Sequence, residues 1–366
     1  MAALQIGTAQ GHPGRISYGA VEAVVLPSGG VDQFPVILAQ GRSDGPVLWV
    51  TASIHGAEYT GVAVIHNLIT PELVSQLRGA IVAIPTLNPA GLRTAERSAY
   101  YIHGQDPNRL FPESTHRPAH TGDPIPPSPM ELAYRRLFDD IASTASYLID
   151  LHNYSIGAIP FALRDPIYYT SRRDKPAADA FQAKVGEMLT AFGHTVINEF
   201  ASVEYRKQNL HRSVSGSALN TAGIPAFTVE LGGYLTVDST IVAAAVAGLR
   251  NVMRWAGMLD DAPEAITGIP ILNPGYPIRR INHPYAPTGG IVSYRVRVGD
   301  TVRAKDPVAR LTDIYGRPIG PHDGLVRSEH DGIVLGLTQG LTCYQSDPLV
   351  SLAIKDEGAL VLPLPG

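Results

Sequence analysis

The sequence contains a single cysteine, Cys343. An intramolecular disulfide is therefore excluded, and a thiolate zinc cluster has nothing to build with. Any bound metal must be held by His, Asp or Glu. Charge is sparse as well, since Asp, Glu, Lys and Arg make up 17% of 366 residues and the formal net charge is −4. Nucleic-acid binding and polybasic membrane anchoring both need clustered Lys and Arg, which the chain lacks, so neither partner is expected. Apolar runs are short too. None approaches the roughly 18 residues of a membrane helix, and "STIVAAAVAGL" (239–249) reads as a buried helix. The start, "MAALQIGTAQGHPGR", has no basic stretch followed by an apolar core, so no signal peptide and a cytoplasmic location are expected. "SVSGSA" (213–218) has its glycine in the wrong place for a serine-hydrolase elbow, and a P-loop and a Gly-x-Gly-x-x-Gly turn are missing, which disfavours phosphate-binding chemistry. The expected partner is a small molecule; assembly into a homo-oligomer is left open.

What is present is a large apolar fraction, 45%, enough for a sizeable core and, at this length, for two domains. From about residue 20 to 260, short β-branched runs alternate with helical patterns. The strand candidates are "VEAVVLP", "FPVILAQG", "PVLWVTAS", "GAIVAIPT", "ASYLIDLHN", "HTVINE" and "PAFTVELGG". Helices are expected over 60–69, 129–143, 175–191, 213–222 and 238–259. Continuously apolar strands separated by helices predict an α/β domain with a mixed, largely parallel sheet covered by helices. After about 262 the helical patterns vanish and short strands between Gly, Pro and Asp take over. There "GGIVSYRVRVGDTVRAKDPVARL" (289–311) resembles "DGIVLGLTQGLTCYQSDPLVSL" (331–352), a weak internal repeat that suits two halves of a small sandwich or barrel. The expected division is a catalytic α/β domain over 1–262 and a smaller all-β domain over 263–366 that shapes the entrance to the site.

Chemistry in such sheets gathers at the carboxyl ends of strands. His55 and Glu58 in "WVTASIHGAEYTG", Asn88, His152 and Glu230 all fall at or just after strand ends. His55 and Glu58 can converge on one ion if Gly56 lets the backbone turn. In "YLIDLHNYS" (147–155), Asp150 and His152 alternate along a strand and share a face, the arrangement in which a carboxylate orients a ligating imidazole. Two His and one Glu make three ligands with a fourth position open. Glu230 ends an apolar strand beside two glycines, a costly place for a carboxylate that neither works nor is paired. "DPNRLFP" (106–112) supplies Asn108 and Arg109, and an Arg fork suits a carboxylate.

"HGAE", "NPAGLRTAER", "DPNRLFP", "DLHN" and "VELGG", in this order, resemble the succinylglutamate desuccinylase and aspartoacylase family, a branch of the zinc carboxypeptidase-like hydrolases. The likeness spans about 45–235, and the Gly-rich β tail is similar to the family's C-terminal region. The resemblance implies one zinc ion per chain on His55, Glu58 and His152, with Glu230 as the catalytic glutamate. It implies Asn108 and Arg109 as the grip on a substrate carboxylate, and Arg97 as the oxyanion-stabilising arginine, with Arg93 competing for that role. Pro107 departs from the family's usual "DLNR". The Pro-rich stretch 112–130, with His116 and His120, is individual and long enough for a lid or binding loop.

The resulting expectation is a zinc-dependent amidohydrolase that cleaves a small N-acyl amino acid to a carboxylate and a free amino acid. A metallocarboxypeptidase acting on short peptides would use the same machinery. A non-catalytic carrier is the third reading, because "VRVGDTVRAKDPVARL" resembles half of a biotinyl or lipoyl module, although Lys305 in "RAKDP" matches the attachment setting poorly.

Overall fold

The computed structural model describes residues 4–113 and 126–364. Its frame is a 12-stranded mixed sheet. At the centre, strands Arg78–Ile84, Ser43–Ala52, Tyr147–Tyr154 and Ala226–Gly233 run parallel to one another. They are buried along consecutive residues rather than alternate ones. Successive side chains point to opposite faces, so both faces must be covered, as uninterrupted apolar runs require. Helices Thr60–Leu68 and Ser239–Trp255 pack together, and Lys175–Phe192 packs on the latter. The antiparallel strands Val31–Gln40 and Arg15–Val25 extend one edge.

On the other side, a four-residue strand, Phe161–Arg164, inserts antiparallel beside Ala226–Gly233 and parallel to Thr195–Asn198. It was not expected, because four residues are too few to show a period. Its placement matters, since it carries Leu163 and leads into Asp165.

The sheet does not stop near residue 262. Strand Ile278–Asn282 joins parallel to Thr195–Asn198 through Asn198 and Arg279, and pairs antiparallel with Val350–Lys355. The C-terminal all-β region thus continues the same sheet while keeping an apolar cluster of its own around Val308, Leu311, Val334 and Leu352. Its internal repeat has a structural counterpart. Strand Gly290–Tyr294 pairs with Pro307–Thr312 of its own copy and with Thr342–Cys343 of the other. Gly332–Leu337 likewise pairs with Val350–Lys355 and with Thr301–Val302. Each copy lends its short strand to the other.

Candidate active site

Parallel register sets the centre of the site. His152 is the Cα partner of Glu230 and Asp150 that of Thr228, while Asp150 also faces Thr51 on the opposite neighbour. Strand Ser43–Ala52 ends immediately before Ser53, whose φ of 48° turns the chain toward His55. Gly56 serves that loop differently from the expectation. Its φ is not in the left-handed region; a Cβ there would lie 1.9 Å from the carbonyl carbon of Gly91. The glycine permits close approach of helix Pro89–Thr94, which Asn88 caps by accepting from the Gly91 amide at 2.9 Å.

Glu58 lies between the two imidazoles. Its Oε1 is 2.7 Å from His55 Nδ1, its Oε2 2.9 Å from His152 Nδ1, and Oε2 also accepts from the Asn153 amide at 3.1 Å. The far nitrogens are held by other carboxylates: His55 Nε2 lies 3.0 Å from Asp106 Oδ1, and His152 Nε2 lies 2.7 Å from Asp150 Oδ2. Asp150 is locked in turn by the Thr51 hydroxyl at 2.6 Å. An Nε2–H that donates to a carboxylate leaves a lone pair on Nδ1, and both such lone pairs face the Glu58 oxygens. Neutral imidazole nitrogens crowding a carboxylate repel unless a cation or protons lie among them, so this donor set fits a divalent ion. The ligand atoms of His55, Glu58 and His152 fall within 4.8 Å of one another, and among the described residues theirs is the one such group. Burial raises the Glu58 carboxyl, but the two histidines outweigh it and hold the group well below the usual range. For His152 burial works against the charged form, and Asp150 and Glu58 overcome it and raise the imidazole.

Glu230 faces this cluster. It is 6% exposed, and its Oε2 has no hydrogen-bond partner among the described residues. Burial lifts its carboxyl to about 7, against the pull of His152. Arg97, more than half exposed at the rim, donates from Nη2 to Asp106 at 2.8 Å and brings Nη1 to 3.8 Å from Glu58. Arg93 instead pairs with Asp32 at 2.5 Å, so its side chain is committed elsewhere. Asn108 accepts from the Val214 amide at 2.9 Å, and its own amide lies 3.3 Å from His152 Nε2. Arg109 donates to the Asn108 carbonyl at 2.7 Å and lines the same cavity.

Three charged groups there were not foreseen. Asp106 ties together His55, Arg97 and the Asn108 amide. Its position before Pro107 was legible only as a turn residue. Arg280 arrives from the C-terminal region, is 8% exposed, and brings Nη1 to 4.0 Å from Glu230. It is clamped by Glu199, with Nε to Oε1 at 2.9 Å and Nη2 to Oε2 at 2.5 Å, and lies over the Phe200 and Tyr154 rings at 4.5 and 5.4 Å. Asp165 lines the cavity beyond Thr228 and Ser215. His103 ends a turn with φ 51° and is exposed. His116, His120 and most of 112–130 lie outside the described residues. The cavity holds about 230 Å³.

A parallel-centred sheet with a His, Glu, His group at its strand ends and a buried glutamate facing it is a hydrolase architecture. Residues 44–256 match the family model of the succinylglutamate desuccinylase/aspartoacylase catalytic domain. That match spans more than half of the chain, which therefore belongs to this family of hydrolases. Solved structures agree on the fold. A succinylglutamate desuccinylase from Silicibacter sp. TM1040 is 16% identical with a TM-score of 0.73, the match covering 96% of this chain and 100% of that one. The ectoine utilization protein EutE (DoeB) from Ruegeria pomeroyi is 19% identical, TM-score 0.71, covering 93% and 95%. An aspartoacylase family protein from Mesorhizobium loti is 20% identical, TM-score 0.68, covering 95% and 96%. A search of curated proteins found no match. No helix among the described residues is long and apolar enough to cross a membrane.

Proposed function

We propose that this chain is a zinc-dependent amidohydrolase that cleaves a small N-acyl amino acid to a carboxylate and a free amino acid. The observation that carries the reading is the carboxylate backing of both imidazoles, with Asp106 behind His55 and Asp150 behind His152, which turns two Nδ1 lone pairs toward Glu58. His55, Glu58 and His152 would hold one ion. Zinc bound there supplies Lewis acidity toward the acyl carbonyl and the attacking water.

The remaining work falls to the chain's own residues. Glu230, desolvated and with a free oxygen, takes the proton from the attacking water and returns it to the leaving amine. Arg97, held at the rim by Asp106, is placed to stabilise the developing oxyanion. Asn108 and Arg109 orient the amino-acid carboxylate; the Val214 amide fixes Asn108, so the carboxylate meets a rigid wall. The C-terminal all-β region closes the opposite side through Arg280 and Asn282, on a strand that continues the central sheet. A cavity of about 230 Å³ lies below the roughly 300–1,000 Å³ of drug-sized sites, which favours a small acylated amino acid over a peptide.

The test is elemental analysis of the purified protein together with turnover of N-acyl amino acids, dipeptides and longer peptides before and after chelation. One zinc per chain and chelator-sensitive hydrolysis of the acyl amino acids is the expected result. Absence of bound metal with no gain on adding zinc overturns the reading, and a preference for peptides transfers it to a carboxypeptidase.

A further inference from the structure

Most of the cavity's charges have a partner. Arg97 is paired with Asp106, and Arg280 is paired with Glu199 through two contacts. Arg109 lines the cavity and brings Nη2 to 3.7 Å from the same Asp106 carboxylate. The charged group left without such a partner is Asp165. It is 4% exposed, its Oδ2 accepts from the Ser215 hydroxyl at 2.8 Å, and among the described residues no Lys or Arg forms an ion pair with it. Arg280 is close enough to be felt electrostatically but is committed to Glu199. A buried carboxylate without a cation is expensive, and a cavity wall is where a ligand can supply one.

The wall also says which part of the substrate would meet it. Asn108 accepts from the Val214 amide, and the next residue, Ser215, donates to Asp165. The Ser215 hydroxyl touches Thr228 at 3.0 Å as well, two residues before Glu230 on the same strand. The carboxylate grip and Asp165 are therefore joined through one short segment, on the amino-acid side of the cavity. Leu163 and Leu210 line it with an apolar stretch, suited to the methylenes of an aliphatic side chain.

We propose that Asp165 determines specificity, selecting N-acyl amino acids whose side chain ends in a cation, an amine or a guanidinium. The inference rests on the deacylase reading for its reaction, though not for its ligand. Burial, then the neighbouring Glu199, raises the Asp165 carboxyl to about 7, so without a ligand the group sits near the point where an arriving cation would fix it as the carboxylate.

The test compares kcat/KM of the zinc-loaded protein on Nα-acetyl-L-lysine, Nα-acetyl-L-ornithine, Nα-acetyl-L-norleucine and Nα-acetyl-L-glutamate, for wild type and Asp165→Asn. Binding of L-lysine and L-norleucine is measured by calorimetry on the same two proteins. Wild type should prefer the cationic substrates to norleucine by about 10- to 100-fold, as one charge-assisted hydrogen bond to a buried carboxylate allows. Asp165→Asn should erase that preference while retaining turnover of the norleucine substrate, which also shows that the variant is folded. A wild type that prefers the neutral or acidic substrate overturns the proposal, as does an unchanged ratio in the variant. If no acyl amino acid is hydrolysed but L-lysine still binds in an Asp165-dependent way, the deacylase reading falls and the cation site stands. If L-lysine binds no better than L-norleucine, the cation site falls.

Discussion

Asp106→Asn is the most informative single change. One carboxylate serves three donors: Oδ1 accepts from the Asn108 amide at 2.9 Å and faces His55 Nε2 at 3.0 Å, while Oδ2 accepts from Arg97 at 2.8 Å. An amide cannot do the same. With its oxygen toward His55, its NH₂ confronts the Arg97 guanidinium, donor against donor. With its oxygen toward Arg97, its NH₂ meets His55 Nε2, and the imidazole must then carry its proton on Nδ1, the nitrogen that the proposed metal site needs. Losing a carboxylate behind a ligating histidine costs about 10- to 100-fold in metal affinity, or roughly 1.4–2.7 kcal/mol. Competition against a chelator of known affinity measures this directly, with Asp150→Asn as the matching change behind His152. A fall in kcat/KM at saturating zinc should accompany it in Asp106→Asn, because Arg97 loses its anchor. Wild-type metal affinity together with wild-type kcat/KM in Asp106→Asn would refute the assignment of Nδ1 as the ligand atom of His55 and the anchoring of Arg97.

Four further outcomes are expected. Glu230→Gln should keep its metal and lose about 10²- to 10⁴-fold in kcat, the range for a general base, whereas His152→Ala should lose the metal itself; retained metal in the second variant removes His152 from the ligand set. Arg109→Ala should raise KM by about 10- to 100-fold with little change in kcat if it binds the substrate carboxylate, and an unchanged KM moves that role elsewhere. Arg280→Met should destabilise the fold by about 3–5 kcal/mol because it leaves Glu199 buried without its partner, and the double variant with Glu199→Leu should recover much of that loss in denaturant melts; a single variant as stable as wild type would contradict the pairing. Asp165 predicts a pH dependence of stability in the ligand-free protein, with Glu199, Arg280 and Tyr205 as the titratable groups facing it. Its folded pKa of about 7 lies above the ordinary 3.8, so between those values the folded state holds more protons than the unfolded. Stability therefore falls as pH rises through that window, by on the order of 4 kcal/mol as an upper bound at 1.36 kcal/mol per unit. Asp165→Asn should melt above wild type at pH 8 and close to it at pH 4, and parallel melting curves at both pH values would show that the carboxyl is not raised.

The parts of this site that could be read in the sequence are those set by one strand at a time. His152 and Asp150 alternate within a single apolar run, and Glu230 ends another, so period two and burial are enough to mark them. The family motifs then order His55, Glu58, Asn108 and Arg109 around them. The expected helices agree with Thr60–Leu68, Pro129–Thr144, Lys175–Phe192, Val214–Asn220 and Ser239–Trp255 to within a few residues, because each is long or capped enough to show its period. What could not be read depends on which strands become neighbours. Arg280 reaches Glu230 only because Ile278–Asn282 joins the sheet beside Thr195–Asn198, and nothing in "YPIRRIN" announces that partner. Asp165 follows a strand of four residues and acquires its meaning from Ser215, fifty positions later, and from Glu199 just past the end of yet another strand. Strand ends mark where chemistry collects, but the charges that tune it are supplied by sheet order. If Asp165 and Arg280 set what the cavity accepts, substrate choice in this chain is carried by the residues least visible to motif reading, and the shared hydrolytic machinery is carried by the most visible.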